Sequence, residues 1–313
     1  MRIPHTQPGR YPTVSAGKLA ASIRAELDAD CRLALLGLPD DTGVKLNFGR
    51  VGAREGPTAL RAALAAFGTS FDGATGASLD TAIFDAGDVQ PAAGGDEAAL
   101  RETHTRVEEA ARELHARGLV VIAVGGGHDL SLPTLTACSK HVGGALGGVN
   151  LDAHLDVRAR VGSGMAFRRL IEAGYLDPRR FVELGLNRFA NERGDFEWLK
   201  RRGAELVLVD DVLREGARGR EHLARAVADG AGFVSVDLDA LDAPLAPGVS
   251  AMNPLGLRVE HAAELAEAAG ARAEVRHFDL MELCPPHDVG GRTARVAAYL
   301  LLCFVAGFAR RSP

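Results

Sequence analysis

Asn150-Leu151-Asp152-Ala153-His154-Leu155-Asp156 closes an apolar run that begins at Gly144. Two carboxylates and an imidazole stand at alternate positions where that run ends. Read as a buried parallel strand, the run delivers the triplet at its C-terminal end, where open α/β sheets bind ligands. Two further stretches share the layout. Leu119 to Val124 leads into Gly125-Gly126-Gly127-His128-Asp129, and Ala231 to Val236 leads into Asp237-Leu238-Asp239. A histidine after glycines can be a loop residue, and Asp-x-Asp can be a turn or a helix cap. The repetition argues for more: three runs too apolar to be sheet edges end in His, Asp-x-His-x-Asp and Asp-x-Asp. On neighbouring strands the tips would converge. Asp152, Asp156, Asp237 and Asp239, gathered with His128 and His154, repel one another unless cations lie between them. Two divalent metals are the expected neutralisers.

Working outward, strand-like runs recur at Leu33–Leu38, Thr81–Asp85, Leu119–Val124, Ala145–Leu151, Arg180–Leu186, Glu205–Val209, Gly232–Val236 and Val275–Met281. Helix-like stretches separate most of them, among them Gly56–Phe67, Asp96–Arg117, Ser131–His141, Val259–Ala269 and Thr293–Phe308. Asp96 is placed to cap the long helix, and Pro57 suits a first turn. Strands alternating with helices predict a parallel sheet covered on both faces. An open doubly wound sheet and a closed eight-stranded barrel both satisfy that pattern, and both put the site at the strand C-termini. Residues 1–30 read as a polar arm with one weak helix, Ala16 to Asp28, ahead of a single domain.

Composition narrows the function classes. The 313 residues are 47% hydrophobic and 25% charged, with a net charge of -5. That balance suits a globular enzyme and gives no reason to expect nucleic acid or an anionic membrane as partner. Cys31, Cys138, Cys284 and Cys303 form no Cys-x-x-Cys pair and are expected as free thiols in a reducing, cytoplasmic setting. The apolar run Val296 to Ala309 falls short of the ~20 residues a membrane span needs. Gly125-Gly126-Gly127 lacks the pattern of a phosphate loop.

These motifs resemble those of the ureohydrolases, the arginase and agmatinase superfamily. The likeness rests on Gly-Gly-Gly-His128, Asp152-Ala-His154-Leu-Asp156 and Ser235-Val-Asp237-Leu-Asp239-Ala-Leu-Asp242. Gly49-Arg50-Val51-Gly52-Ala53-Arg54-Glu55-Gly56-Pro57 and Phe84-Asp85-Ala86-Gly87-Asp88-Val89 extend it over about residues 31 to 308. The resemblance implies an α/β fold with an open, doubly wound, mostly parallel eight-stranded sheet flanked by helices, two Mn²⁺ per subunit, and a homo-oligomer. It also implies roles. Asp152 and Asp237 would bridge the metals, His128 and Asp156 would complete one, and His154 and Asp239 the other. A dimetal-bound hydroxide would attack an amidine carbon. Asp156 would relay a proton to the leaving amine, and Glu282 would contact the substrate's nitrogen end. Carboxylates and imidazoles without thiolates suit Mn²⁺.

The loop after Asp156 points to a substrate. Arginases and agmatinases usually carry a shuttle His-Gly pair where this chain has Ser163-Gly164. Asp156-Val157-Arg158, Ser163-Gly164 and Phe167-Arg168 instead resemble formimidoylglutamases, as do Ala246-Pro247-Gly248-Val249-Ser250-Ala251 and Gly291-Arg292-Thr293-Ala294-Arg295. That likeness implies a small-molecule substrate, N-formimidoyl-L-glutamate, and a role in histidine breakdown. Arginine suits its two carboxylates. Arg158 and Arg188 are the foremost candidates, with Asn187 and Ser163 beside them and Arg160 and Arg168 behind. The alternatives are an agmatinase or guanidino-acid hydrolase of the same superfamily, and an inactive binding protein on this fold.

Overall fold

A computed structural model describes residues 3–79 and 81–311; the outermost residues of the expected domain, 1–2 and 312–313, lie outside that range. Eight parallel strands form the main sheet: β1 (Leu33–Leu38), β2 (Ile83–Val89), β3 (Val120–Gly125), β4 (Leu146–Leu151), β5 (Leu176–Leu186), β6 (Glu205–Leu208), β7 (Gly232–Asp237) and β8 (Val275–Met281). Their order is β2-β1-β3-β8-β7-β4-β5-β6, and the two-residue strand Thr6–Gln7 pairs antiparallel with β2 at one edge. The sheet is therefore open.

Side-chain alternation explains why both faces are covered. Along β3, Val120, Ile122 and Val124 enter one core and Val121 and Ala123 the other. The first face is packed by helices α2 (Gly56–Ala66), α7 (Val209–Glu215), α8 (Gly219–Ala226), α9 (Val259–Ala271) and α10 (Arg292–Phe308). The second is packed by α3 (Glu97–Ala116), α4 (Ser131–Val142), α5 (Ala166–Glu172) and α6 (Arg193–Lys200). The Asp96 side chain does cap α3, accepting from the Ala99 N–H at 2.9 Å. No helix among the described residues is long and apolar enough to cross a membrane.

Register fixes where the site falls. Val124 of β3 pairs with Leu280 of β8, Leu280 with Val236 of β7, and Val236 with Leu151 of β4. The four central strands thus end level with one another. The chain that follows each of them carries His128, Glu282, Asp237 with Asp239, and Asp152 with His154 and Asp156 onto one rim.

The arm differs from expectation. Ala16 to Asp28 is no helix; only Leu19–Ala21 makes a 3₁₀ turn. The Arg24 N–H donates to the Ile83 carbonyl and the Asp85 N–H to the Arg24 carbonyl, each at 2.8 Å. Backbone groups that a helix would pair internally are spent on the sheet edge, which overrides weak propensity. Tyr11 also ties the arm down, its hydroxyl donating to Asp85 at 2.7 Å. Buried Arg61 then bonds Asp85 at 2.8 Å and Asp88 at 2.6 Å. The second strand runs to Val89 rather than stopping at Asp85, because a register shift at Gly87 lets it continue past a positive-φ residue.

Candidate metal centre

Six side chains meet over the middle of the sheet. His128 Nδ1 lies 3.2 Å from Asp152 Oδ2, 3.1 Å from Asp156 Oδ2 and 3.1 Å from Asp237 Oδ2. His154 Nδ1 lies 3.4 Å from Asp152 Oδ1 and 3.3 Å from Asp239 Oδ2. Asp152 therefore offers one oxygen to each imidazole. Two groups, His128-Asp152-Asp156 and Asp152-His154-Asp239, each present ligand atoms within 4.8 Å of one another and share that aspartate. Asp237 Oδ1 accepts the Asp239 N–H at 2.7 Å, which holds the Asp-x-Asp turn in shape.

Electrostatics give the same picture. Burial and the neighbouring Asp239 hold Asp237 well above the usual carboxylate range. Burial, then Asp152, raises Asp156, and burial raises Asp239. Burial disfavours a charged His128, but Asp152, Asp156 and Asp237 outweigh it and lift the imidazole well above its ordinary value. Asp239 chiefly lifts His154 in the same way. The cluster thus demands positive charge, and protons supply it where cations are absent. Among the described residues, one buried Asp239 oxygen has no hydrogen-bond partner. Oxygen and imidazole donors without thiolate fit hard or borderline divalent cations.

Support lies beneath. His128 Nε2 meets Ser235 Oγ at 2.9 Å, and Ser235 donates to Asp279 Oδ1 at 2.5 Å. Ser131 donates to the other Asp279 oxygen at 3.0 Å. On the Asp152 side, the Asn150 amide reaches Asp152 Oδ2 at 3.2 Å and buried Glu183 at 2.9 Å. Sequence patterns assigned no role to Asp279 or Glu183, each inside an apolar strand, nor a supporting one to Asn150 beside the motif.

The backbone is forced at two key residues. Asp156 has φ +47° and Glu282 φ +64°, a region L-residues adopt rarely and mostly at functional sites. Glu282 Oε1 accepts the His128 N–H at 3.0 Å, while among the described residues buried Oε2 has no hydrogen-bond partner. Burial pushes its carboxyl up to about 8. The glycines before His128 serve packing: a Cβ on Gly126 would lie 1.7 Å from the Asp40 carbonyl oxygen and one on Gly125 2.1 Å from Met281 Sδ.

A cavity of about 330 Å³ opens over the cluster, and Arg158, Ser163, Asn47, Arg50 and Glu282 line it. Arg188 and Asn187 line a neighbouring cavity of about 410 Å³ that shares His154 and Ala251 with the first. Arg188 is 57% exposed and lies 3.7 Å from Asp210. Arg168 is taken up by Glu172 at 2.9 Å and by the Trp198 ring. Arg158 is the candidate arginine that the structure brings to the cluster.

An open parallel sheet with a carboxylate–imidazole centre at its strand ends defines an α/β protein of metal-binding type. The chain belongs to the Arginase family, whose model matches residues 31–307. It is 37% identical over 287 residues to a formimidoylglutamase from Halobacterium salinarum, covering 89% of this chain and 88% of that one. It is 31% identical over 324 residues to a guanidinobutyrase from Pseudomonas aeruginosa, covering 99% and 93%. A crystal structure of Trypanosoma cruzi formiminoglutamase with Mn²⁺ superposes with a TM-score of 0.87 at 30% identity, covering 94% and 99%.

Proposed function

We propose that this protein hydrolyses N-formimidoyl-L-glutamate to L-glutamate and formamide, a step of histidine degradation. The observation that carries the proposal is the convergence of His128, Asp152, Asp156, His154 and Asp239 in two metal-type groups that share Asp152, with Asp237 against His128, in a cavity that Ser163 and Arg158 line and where, among the described residues, Arg158 has no carboxylate within ion-pair distance. His128, Asp152, Asp156 and Asp237 would hold one Mn²⁺, and His154, Asp239, Asp152 and Asp237 the other. Two such cations supply charge neutralisation and an acidified water as nucleophile.

The chain's own groups do the rest. Glu282 Oε2 accepts hydrogen bonds from the amidinium nitrogen, and the cation restores the charge that burial opposes. Asp156 would take the proton that the attacking water gives up and pass it to the departing amine. Arg158 receives a substrate carboxylate. Arg188 and Asn187 flank the adjoining cavity, where a longer substrate would extend. A small-molecule substrate, a homo-oligomeric assembly and a cytoplasmic setting belong to the same proposal.

The rival is a guanidino-acid hydrolase, favoured by the guanidinobutyrase likeness across the whole chain; Ser163 at the shuttle position weighs against it. Asp237→Ala tests the centre. Elemental analysis should find both ions lost and turnover abolished; two retained ions with near-parental turnover would overturn the assignment.

A further inference from the structure

Two guanidinium groups, that of Arg158 at the cavity wall and that of exposed Arg160 beside it, share one neutral acceptor. Arg158 Nη1 donates to Asn47 Oδ1 at 2.8 Å and Arg160 Nη2 donates to the same oxygen at 3.2 Å. The Asn47 amide nitrogen donates to Ser163 Oγ at 3.3 Å. Among the described residues, neither arginine has a carboxylate within ion-pair distance. Arg168 and Arg169, a few residues on, both pair with Glu172.

Like charges brought together repel. Folding that gathers them on an amide leaves a positive edge that an anion completes. The surrounding backbone is shaped for it. Asn47 follows the short helix Thr42–Leu46, and its N–H is held by the Gly43 carbonyl at 3.0 Å. Phe48 then turns at φ +60°, which leaves its ring under the Arg160 guanidinium at 5.2 Å. On the facing loop, the Arg158 N–H donates to the Gly164 carbonyl at 2.8 Å, and a Cβ on Gly164 would meet the Arg158 Cδ at 3.2 Å. The loop from Arg158 to Gly164 is thus closed around Asn47.

We infer that Asn47 is a positioning residue that sets Arg158 and Arg160 as a paired clamp for a carboxylate of the substrate's glutamyl part. The inference rests on the proposed reading and deepens it. Arg160, which the sequence ranks behind Arg188, becomes the second cation of the clamp. Ser163 is assigned to hold the amide nitrogen, so that Asn47 presents its oxygen, not its NH₂, to the arginines.

The test uses Mn²⁺-loaded full-length protein, with L-glutamate as binding probe and N-formimidoyl-L-glutamate as substrate. Asn47→Leu should weaken L-glutamate binding by about tenfold or more and raise KM similarly, with kcat and Mn²⁺ content close to parental. Asn47→Asp separates positioning from mere folding. It keeps the shape and the acceptor but puts a fixed carboxylate on the clamp. A structural role would let it behave like the parent, whereas the clamp requires it to lose affinity at least as severely as Asn47→Leu. Arg160→Ala should also raise KM without loss of metal. If the parent turns over the substrate while Asn47→Asp and Arg160→Ala bind and react as it does, the clamp is refuted and the proposed function stands. If the parent neither binds L-glutamate nor turns over formimidoylglutamate, the clamp falls together with that reading.

Discussion

Ser235→Ala isolates what the buried support does for the metal centre. The Ser235 hydroxyl donates to Asp279 at 2.5 Å. At 2.9 Å from His128 Nε2 it must then accept from that nitrogen, which leaves Nδ1 as the lone-pair nitrogen facing Asp152, Asp156 and Asp237. Alanine removes the acceptor, so the imidazole is no longer fixed in tautomer or orientation. Losing such a partner typically costs ~10–100-fold in metal affinity, or about 1.4–2.7 kcal/mol. The loss should fall only on the ion that His128 and Asp156 would hold, since among the described residues Ser235 bonds His128 and Asp279 and not His154, which faces Asp152 and Asp239. Stability should drop by about 1–3 kcal/mol as well, because a buried Asp279 oxygen loses its partner. Ser131→Ala is the control. It strips the other Asp279 oxygen of a partner at 3.0 Å without touching His128, so it should cost similar stability and spare the metal. Equilibrium dialysis against graded Mn²⁺, with elemental analysis, should give Ser235→Ala one tight and one weakened ion per chain. Parental affinity for both ions, or an equal loss in Ser131→Ala, would refute the argument.

Other outcomes follow from the same geometry. Arg158→Ala removes a charged hydrogen bond of ~1.5–3 kcal/mol and should lower kcat/KM for formimidoylglutamate by roughly one to two orders of magnitude, with metal content unchanged by elemental analysis. Because His128 and His154 are raised above the ordinary imidazole range in the cation-free protein, each cation must displace protons that are still held at neutrality. Mn²⁺ affinity should therefore keep rising with pH through and beyond neutrality, by about tenfold per unit for each displaced proton; a plateau already reached in weakly acid buffer would count against imidazole ligation. Arg61→Met leaves Asp85 and Asp88 buried without their cation and should cost ~3–5 kcal/mol in chemical denaturation, while the metal centre keeps its affinity.

Much of this was legible because the sheet and its chemistry write themselves in the same places. β1 and β8 run over the residues their apolar runs mark, Leu33–Leu38 and Val275–Met281. The ligand motifs are visible because each follows a fully buried strand, where a charged residue needs a reason to be present. What stayed hidden depends on tertiary contact. Ala16 to Asp28 has helical residues but spends its backbone on the sheet edge. The short helix Thr42–Leu46, which presents Asn47, is too brief to show a period. Asn47 itself sits in no motif, and its importance appears only when Arg158 and Arg160, more than a hundred residues later, fold back onto it. Arg188 reads like a substrate arginine in the chain yet stands in the next cavity beside Asp210.

The most direct test compares kcat/KM of the Mn²⁺-loaded protein for N-formimidoyl-L-glutamate with that for 4-guanidinobutanoate and agmatine. The proposed function, with Ser163 and Arg158 lining the cavity over the cluster, predicts turnover of formimidoylglutamate to L-glutamate and formamide, and poor or no turnover of the two guanidino compounds. Faster hydrolysis of 4-guanidinobutanoate or agmatine would contradict it.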